Sequence, residues 1–101
     1  MTFTGGTNTG RSIAHAAADK LMPVSLELGG KSPTIVLDDA DLDAAVNGVM
    51  YGIFSSTGQS CIAGSRLFVD RRIYDEFLEK LVAKTQRLRL GPGRDPDTQV
   101  G

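Results

Sequence analysis

Cys61 is the only cysteine in the 101-residue chain, and it lies in the small, polar stretch Gly58-Gln59-Ser60-Cys61-Ile62-Ala63-Gly64-Ser65-Arg66. Taken alone, a single cysteine reads as a small core hydrophobe, because free cysteine is among the most buried residue types. Its surroundings point the other way. The residue follows an apolar periodic segment that ends near Phe54 and is bracketed by Gly and Ser, so it falls where a helix gives way to a loop. A thiol held there is open to a substrate and is a candidate nucleophile.

A carboxylate stands upstream in Pro23-Val24-Ser25-Leu26-Glu27-Leu28-Gly29-Gly30-Lys31-Ser32-Pro33. Val24, Leu26 and Leu28 alternate with Ser25 and Glu27, so a strand here buries one face and aims Glu27 from the other. Paired glycines then allow close approach of backbone or ligand. By itself Glu27 reads as a solvated strand carboxylate. A third segment, Phe3-Thr4-Gly5-Gly6-Thr7-Asn8-Thr9-Gly10-Arg11, passes from a strand-like start through a glycine turn into the helix-favouring Ser12 to Ala18. Asn8 or Thr9 is expected to cap that helix, and free amides at its start would attract an anion or a polarised ligand. Gly5, Gly6 and Gly10 have the wrong spacing for the dinucleotide fingerprint, and no Gly-Lys-Ser/Thr closes a P-loop. An ordinary strand-to-helix turn fits these residues as well.

In this order and at these separations the three segments resemble the aldehyde dehydrogenase superfamily of NAD(P)-dependent enzymes. Leu26 to Pro33 is similar to the family's glutamate signature and Phe54 to Ser65 to its cysteine signature. Thirty-four positions separate Glu27 from Cys61, as in the family. Phe3 to Arg11 resembles the loop beside the nicotinamide, with Gly6 where the family more often has Ser, which removes one hydroxyl contact. Ile35 to Asp43 and Ile73 to Phe77 extend the resemblance over the whole chain. It implies an α/β, three-layer aldehyde dehydrogenase-like fold. Residues 1–29 would be the C-terminal part of the Rossmann-like NAD(P)-binding domain, and residues 30–101 the N-terminal part of the catalytic domain.

The same resemblance implies catalytic roles for Cys61 and Glu27. Cys61 would add to an aldehyde carbonyl to give a thiohemiacetal, oxidised with NAD or NADP as cofactor to a thioester. Glu27 would be the general base for its hydrolysis to the acid. Gly5, Gly6, Thr7, Asn8, Thr9 and Gly10 would shape the nicotinamide side of the cofactor site, with Leu28 touching the ring through its backbone. Glu27 argues against the coenzyme A-acylating members, which have little use for a water-activating base. A non-catalytic relative remains the alternative, as does an inert fragment. The family's oxyanion asparagine and the groups that choose NAD over NADP are expected upstream of this stretch, and the full-length protein is expected to be a homo-oligomer.

The elements that must position these residues are legible from periodicity. Leu42, Val46, Val49, Met50, Ile53 and Phe54 form one apolar stripe at helical spacing. Asp39 or Asp41 is expected to cap that helix, which makes capping and dipole effects, rather than metal binding, the reading of Asp38, Asp39, Asp41 and Asp43. Thr34 to Leu37 and Arg66 to Val69 are apolar runs of strand length. Ile73 to Leu88 is expected to be a helix with Phe77, Leu78, Leu81 and Leu88 on one face, ended by Gly91-Pro92-Gly93. The resulting order of strand, helix, strand, strand, helix, strand, helix argues for parallel strands.

Composition excludes other classes. The net charge is −1 and hydrophobic residues make up 41% of the chain, an ordinary soluble balance with no nucleic-acid surface. Lys80, Lys84, Arg87 and Arg89 follow Asp75, Glu76 and Glu79, a charge order that complements a solvated helix. No apolar stretch reaches membrane-spanning length and no signal pattern opens the chain. One cysteine forms no internal disulfide, in agreement with a cytoplasmic protein. The chain begins inside a strand-like segment and is read as an internal fragment, with apolar faces left uncovered.

Overall fold

The computed structural model describes all residues, 1–101. They divide into two compact units, Met1–Gly30 and Lys31–Gly101.

In the first unit β1 (Thr2–Thr4) leads into α1 (Thr7–Ala18) and returns as β2 (Ser25–Glu27). The strands are parallel, with Thr2 opposite Ser25, Phe3 opposite Leu26 and Thr4 opposite Glu27. Parallel neighbours need a crossover, which α1 supplies. This helix begins earlier than its sequence suggests. Gly6 is the N-cap, its side-chain-free position provides no capping bond, and Asn8 and Thr9 lie inside the first turn. At the other end Leu21 takes the left-handed conformation (φ 51°), and the Met22 N–H donates to the Ala17 carbonyl at 2.9 Å. That is the helix-ending geometry in which glycine is the usual occupant.

The second unit runs β3 (Pro33–Val36), α2 (Leu42–Phe54), β4 (Arg66–Val69) and α3 (Tyr74–Thr85). β3 and β4 are parallel, from Pro33 opposite Arg66 to Val36 opposite Val69. Val36, Val46, Val49, Met50 and Phe77 form the buried core, with Leu67, Val69, Leu81 and Leu88 packed against it. The apolar stripe of α2 therefore faces inward, as its period requires. Asp41 caps α2 by accepting from the Ala44 N–H at 2.9 Å. Leu78, expected in the core, is 41% exposed, because Phe77 and Leu81 alone carry the buried face of α3.

α3 also stops before the expected glycines. Beyond Thr85 the Arg87 and Leu88 amides bond three residues back, at 3.2 and 3.0 Å, which tightens the chain and turns Leu88 onto the core. Arg89 then accepts at its carbonyl from the Gln99 and Val100 amides and donates through Nε to Asp97 O. The Gly91 to Pro96 stretch is thus a return loop and not a helix terminator.

Polar contacts join α2 to α3. Lys80 pairs with Asp43 at 2.9 Å and Lys84 hydrogen-bonds Asn47, one helical turn further along both helices. At the C-terminal ends of the strands Arg72 bridges Asp38 and Asp70. Of the acidic run, Asp41 caps α2 while Asp38 and Asp43 are held in ion pairs. The opposite face of the β3–β4 pair is open, with Ile35 and its cross-strand partner Phe68 exposed by 67% and 53%.

Candidate active site

Within the first unit the glycine turn, Glu27 and Leu28 come together. Glu27 ends β2 opposite Thr4, and its carbonyl accepts from the Gly5 N–H at 3.0 Å, so the ladder continues into the turn. Its carboxylate is exposed. Gly10 is buried in α1 against Leu28, where a Cβ would come within 2.7 Å of Leu28 Cδ2. A larger residue there would require the end of the Leu28 side chain to move aside. Around Gly6, by contrast, nothing lies within 4 Å of a built Cβ, and the first turn of α1 has neither a side-chain cap nor an acidic residue. Its leading amides are left free for an external acceptor, which fits the carboxamide or phosphate chemistry of a nicotinamide nucleotide.

The second unit holds Cys61. α2 ends at Phe54, and the chain passes through a tight turn, Ser55–Gly58, before the cysteine. Ser60 to Ala63 is a four-residue turn closed by the Ala63 N–H donating to Ser60 O at 3.1 Å. Ser60 Oγ accepts the Ile62 N–H at 3.4 Å. Cys61 sits at the first central position of this turn and is exposed. Its neighbour Ile62 is 78% exposed while Ala63 is 6% exposed, so the turn is a raised tip on a buried pin. The Cys61 N–H makes no hydrogen bond within the protein and remains available beside the sulfur.

The loop is closed at its base. The Gly64 N–H donates to Gly52 O on α2 at 3.1 Å, so the chain leaves and returns to the same helical turn. A Cβ at Gly64 would lie 2.3 Å from Thr34 Oγ1. Arg66 then enters β4, donating from its N–H to Ser32 O at 3.3 Å and from Nε to Lys31 O at 2.8 Å. Pro33 has no amide to offer, and the guanidinium extends the strand pairing past it. The sequence carries no separable signal for the Thr34–Gly64 approach or the Arg66–Lys31 bond, since each joins residues about thirty positions apart.

The whole chain, residues 1–101, matches the aldehyde dehydrogenase family. The chain belongs to that family. It is 52% identical over its full length to betaine aldehyde dehydrogenase of Rhizobium johnstonii and 48% identical to that of Brucella ovis, spanning 21% of each. Among solved structures it resembles a putative aldehyde dehydrogenase from Burkholderia cenocepacia, with a TM-score of 0.95 and 53% identity over 99% of this chain and 20% of that one. It also resembles PnpE in complex with nicotinamide adenine dinucleotide, with a TM-score of 0.94 and 49% identity over 99% of this chain and 20% of the other. Its fold is accordingly a part of the aldehyde dehydrogenase fold, about a fifth of the relatives' length.

Proposed function

We propose that the protein containing this chain oxidises an aldehyde to a carboxylic acid with NAD or NADP, and that Cys61 is its nucleophile. The observation that carries this reading is an exposed thiol at the tip of a pinned turn, with its own amide free, in a chain that belongs to the aldehyde dehydrogenase family. The Cys61 sulfur adds to the aldehyde carbonyl, and the Cys61 N–H donates to the oxygen that gains negative charge. One such donor typically lowers a barrier by roughly 3 kcal/mol. Loss of hydride from the resulting thiohemiacetal to the nucleotide would leave a thioester on Cys61, and Glu27 takes a proton from the water that cleaves it and returns Cys61 to its free form.

We assign residues 1–29 to the cofactor-binding domain and 30–101 to the catalytic domain. Gly5, Gly6, Thr7, Asn8, Thr9, Gly10 and the Leu28 backbone would hold the nicotinamide end of the cofactor, since the start of α1 is open and uncapped. The bound nucleotide supplies the hydride acceptor. Relatives at this similarity are named for betaine aldehyde, which makes that compound the first member of a substrate panel.

The test is reduced-nicotinamide formation by the full-length protein, assayed without and with coenzyme A. Cys61→Ala should abolish turnover. Glu27→Gln should slow thioester hydrolysis by roughly 10²- to 10⁴-fold, the usual contribution of a general base. Turnover that survives Cys61→Ala, or that requires coenzyme A, overturns the reading.

A further inference from the structure

The chain between α2 and Cys61 adopts a conformation its residues disfavour. Ser56 (φ 52°, ψ 31°) and Thr57 (φ 57°, ψ 32°) are both left-handed, and Gly58 follows at φ 71°. Three successive left-handed residues make a short left-handed turn, closed by the Gln59 N–H on Ser56 O at 3.0 Å. L-residues avoid this region because Cβ crowds the neighbouring carbonyl, and a β-branched residue such as Thr is a true outlier there. In the second unit Ser56 and Thr57 are the only non-glycine residues with positive φ. The disfavoured backbone is therefore concentrated immediately before the candidate nucleophile.

The surroundings impose it. The loop leaves α2 with the Ser55 N–H bonded to Tyr51 O and must return within a few residues to Gly52 O through Gly64. A right-handed continuation would carry the chain onward along the axis of α2, away from that return. Reversing the hand turns it back over the end of the helix. Gly58 completes the reversal, where a Cβ would come within 3.2 Å of Ile53 O. Strain held in place by tertiary closure and located beside a reactive group is a reason to infer function from the outlier.

We infer that the left-handed turn Ser56-Thr57-Gly58 is a positioning element for Cys61, acting through backbone conformation and not through the Ser or Thr hydroxyls. This rests on Cys61 being the nucleophile. The turn fixes the direction in which the chain enters Ser60–Ala63, and with it where the sulfur and the Cys61 amide stand relative to one another. Small errors in such placement cost rate far more than they cost stability.

Two substitutions at Thr57 separate conformation from side chain. Thr57→Asn keeps the left-handed conformation, which Asn tolerates, and removes the hydroxyl. Thr57→Gly relieves the strain but opens other conformations to the loop. In the full-length protein Thr57→Asn should keep kcat within about twofold, whereas Thr57→Gly should lower kcat by roughly ten- to a hundredfold, the range that misplacement brings. Thr57→Gly should leave KM for the nicotinamide nucleotide unchanged and should not lower the thermal midpoint. Alkylation of Cys61 by iodoacetamide should slow in the Gly variant alone.

The inference is overturned if Thr57→Gly matches the parent in kcat. It is equally overturned if Thr57→Asn loses as much as Thr57→Gly, which would assign the role to the hydroxyl, or if lost activity tracks a lowered midpoint, which would make the turn merely structural. Ser56→Asn and Ser56→Gly repeat the contrast should a Thr57 variant fail to fold. A parent protein whose turnover is indifferent to Cys61→Ala sinks the nucleophile assignment itself, a result distinct from all of these.

Discussion

At the scale of single residues, two glycines beside the candidate site stand in tight surroundings. A Cβ at position 64 would meet Thr34 Oγ1 at 2.3 Å and one at position 10 would meet Leu28 Cδ2 at 2.7 Å. The obstacles differ in kind. Leu28 can rotate the end of a flexible side chain, whereas Thr34 is stiff at χ1 and sits in the β3–β4 ladder. Gly64→Ala should therefore destabilise the protein by about 1–3 kcal/mol through overpacking, and Gly10→Ala by less. Thr34→Ser, which removes a methyl but keeps the clashing oxygen, should not rescue Gly64→Ala, while Thr34→Ala should. Denaturant midpoints of the single and double variants check both statements. Phe77 is 1% exposed at the centre of the second unit, and Phe77→Ala should cost roughly 3–5 kcal/mol.

At the scale of elements, the helix ends differ in how well their residues suit them. Asp41 is a good cap for α2, and Asp41→Ala should cost about 1 kcal/mol by leaving the Ala44 amide unpaired. Leu21 is a poor residue for the end of α1, being left-handed and 94% exposed. Leu21→Gly should be neutral or stabilise by up to about 1 kcal/mol, since the αL penalty removed slightly exceeds the entropy glycine adds. A fall in the thermal midpoint for that variant would show that Leu21 is held by contacts outside this chain. The open amides at the start of α1 and the strained exit of α2 also lack good local solutions. Both lie next to the residues assigned to cofactor and substrate.

For the molecule as a whole, charge and exposure set the response to solvent. The Arg72 side chain, and then its backbone N–H, hydrogen-bond Asp70 and hold its carboxyl at about 2, below the ordinary 3.8. Lys80 likewise lowers Asp43, by hydrogen bond first and charge second. A carboxyl whose folded value is depressed adds stability that is complete above its ordinary value and is lost as pH falls toward the folded one. Stability from these pairs should thus be flat above about pH 5 and decline between about 4 and 2. Asp70→Asn should flatten part of that acid limb and leave neutral behaviour nearly unchanged, which urea titrations at several pH values would reveal. Exposed apolar residues dominate the other response. Ile35, Leu37, Phe68 and Leu90 are each more than half exposed, and parallel sheets are normally covered on both faces. The isolated 101-residue chain should accordingly associate or melt without a sharp transition, and a cooperative, concentration-independent melt would contradict this. No helix is long and apolar enough to cross a membrane.

The order of elements, the inward stripe of α2 and an aspartate cap at its start, at Asp39 or Asp41, were written in the sequence, because each depends on residues within a turn or two of one another; the structure selects Asp41. Motif order and spacing likewise carried the family, which the match over residues 1–101 establishes. The start of α1 and the end of α3 were misplaced by local reasoning. Gly6 outcompetes Asn8 and Thr9 as cap because the β1–β2 pairing already fixes the chain at Gly5, and Leu88 leaves the helix to reach the core. Leu78 shows the same limit, since several residues fit an apolar face and only packing chooses among them. The handedness of Ser56 and Thr57, the Gly64–Thr34 approach and the Arg66–Lys31 bond were decided by tertiary structure alone. They arise from closing a loop onto a helix and a sheet whose positions are set elsewhere, and no local preference encodes such a constraint; for Ser56 and Thr57, local preference opposes it.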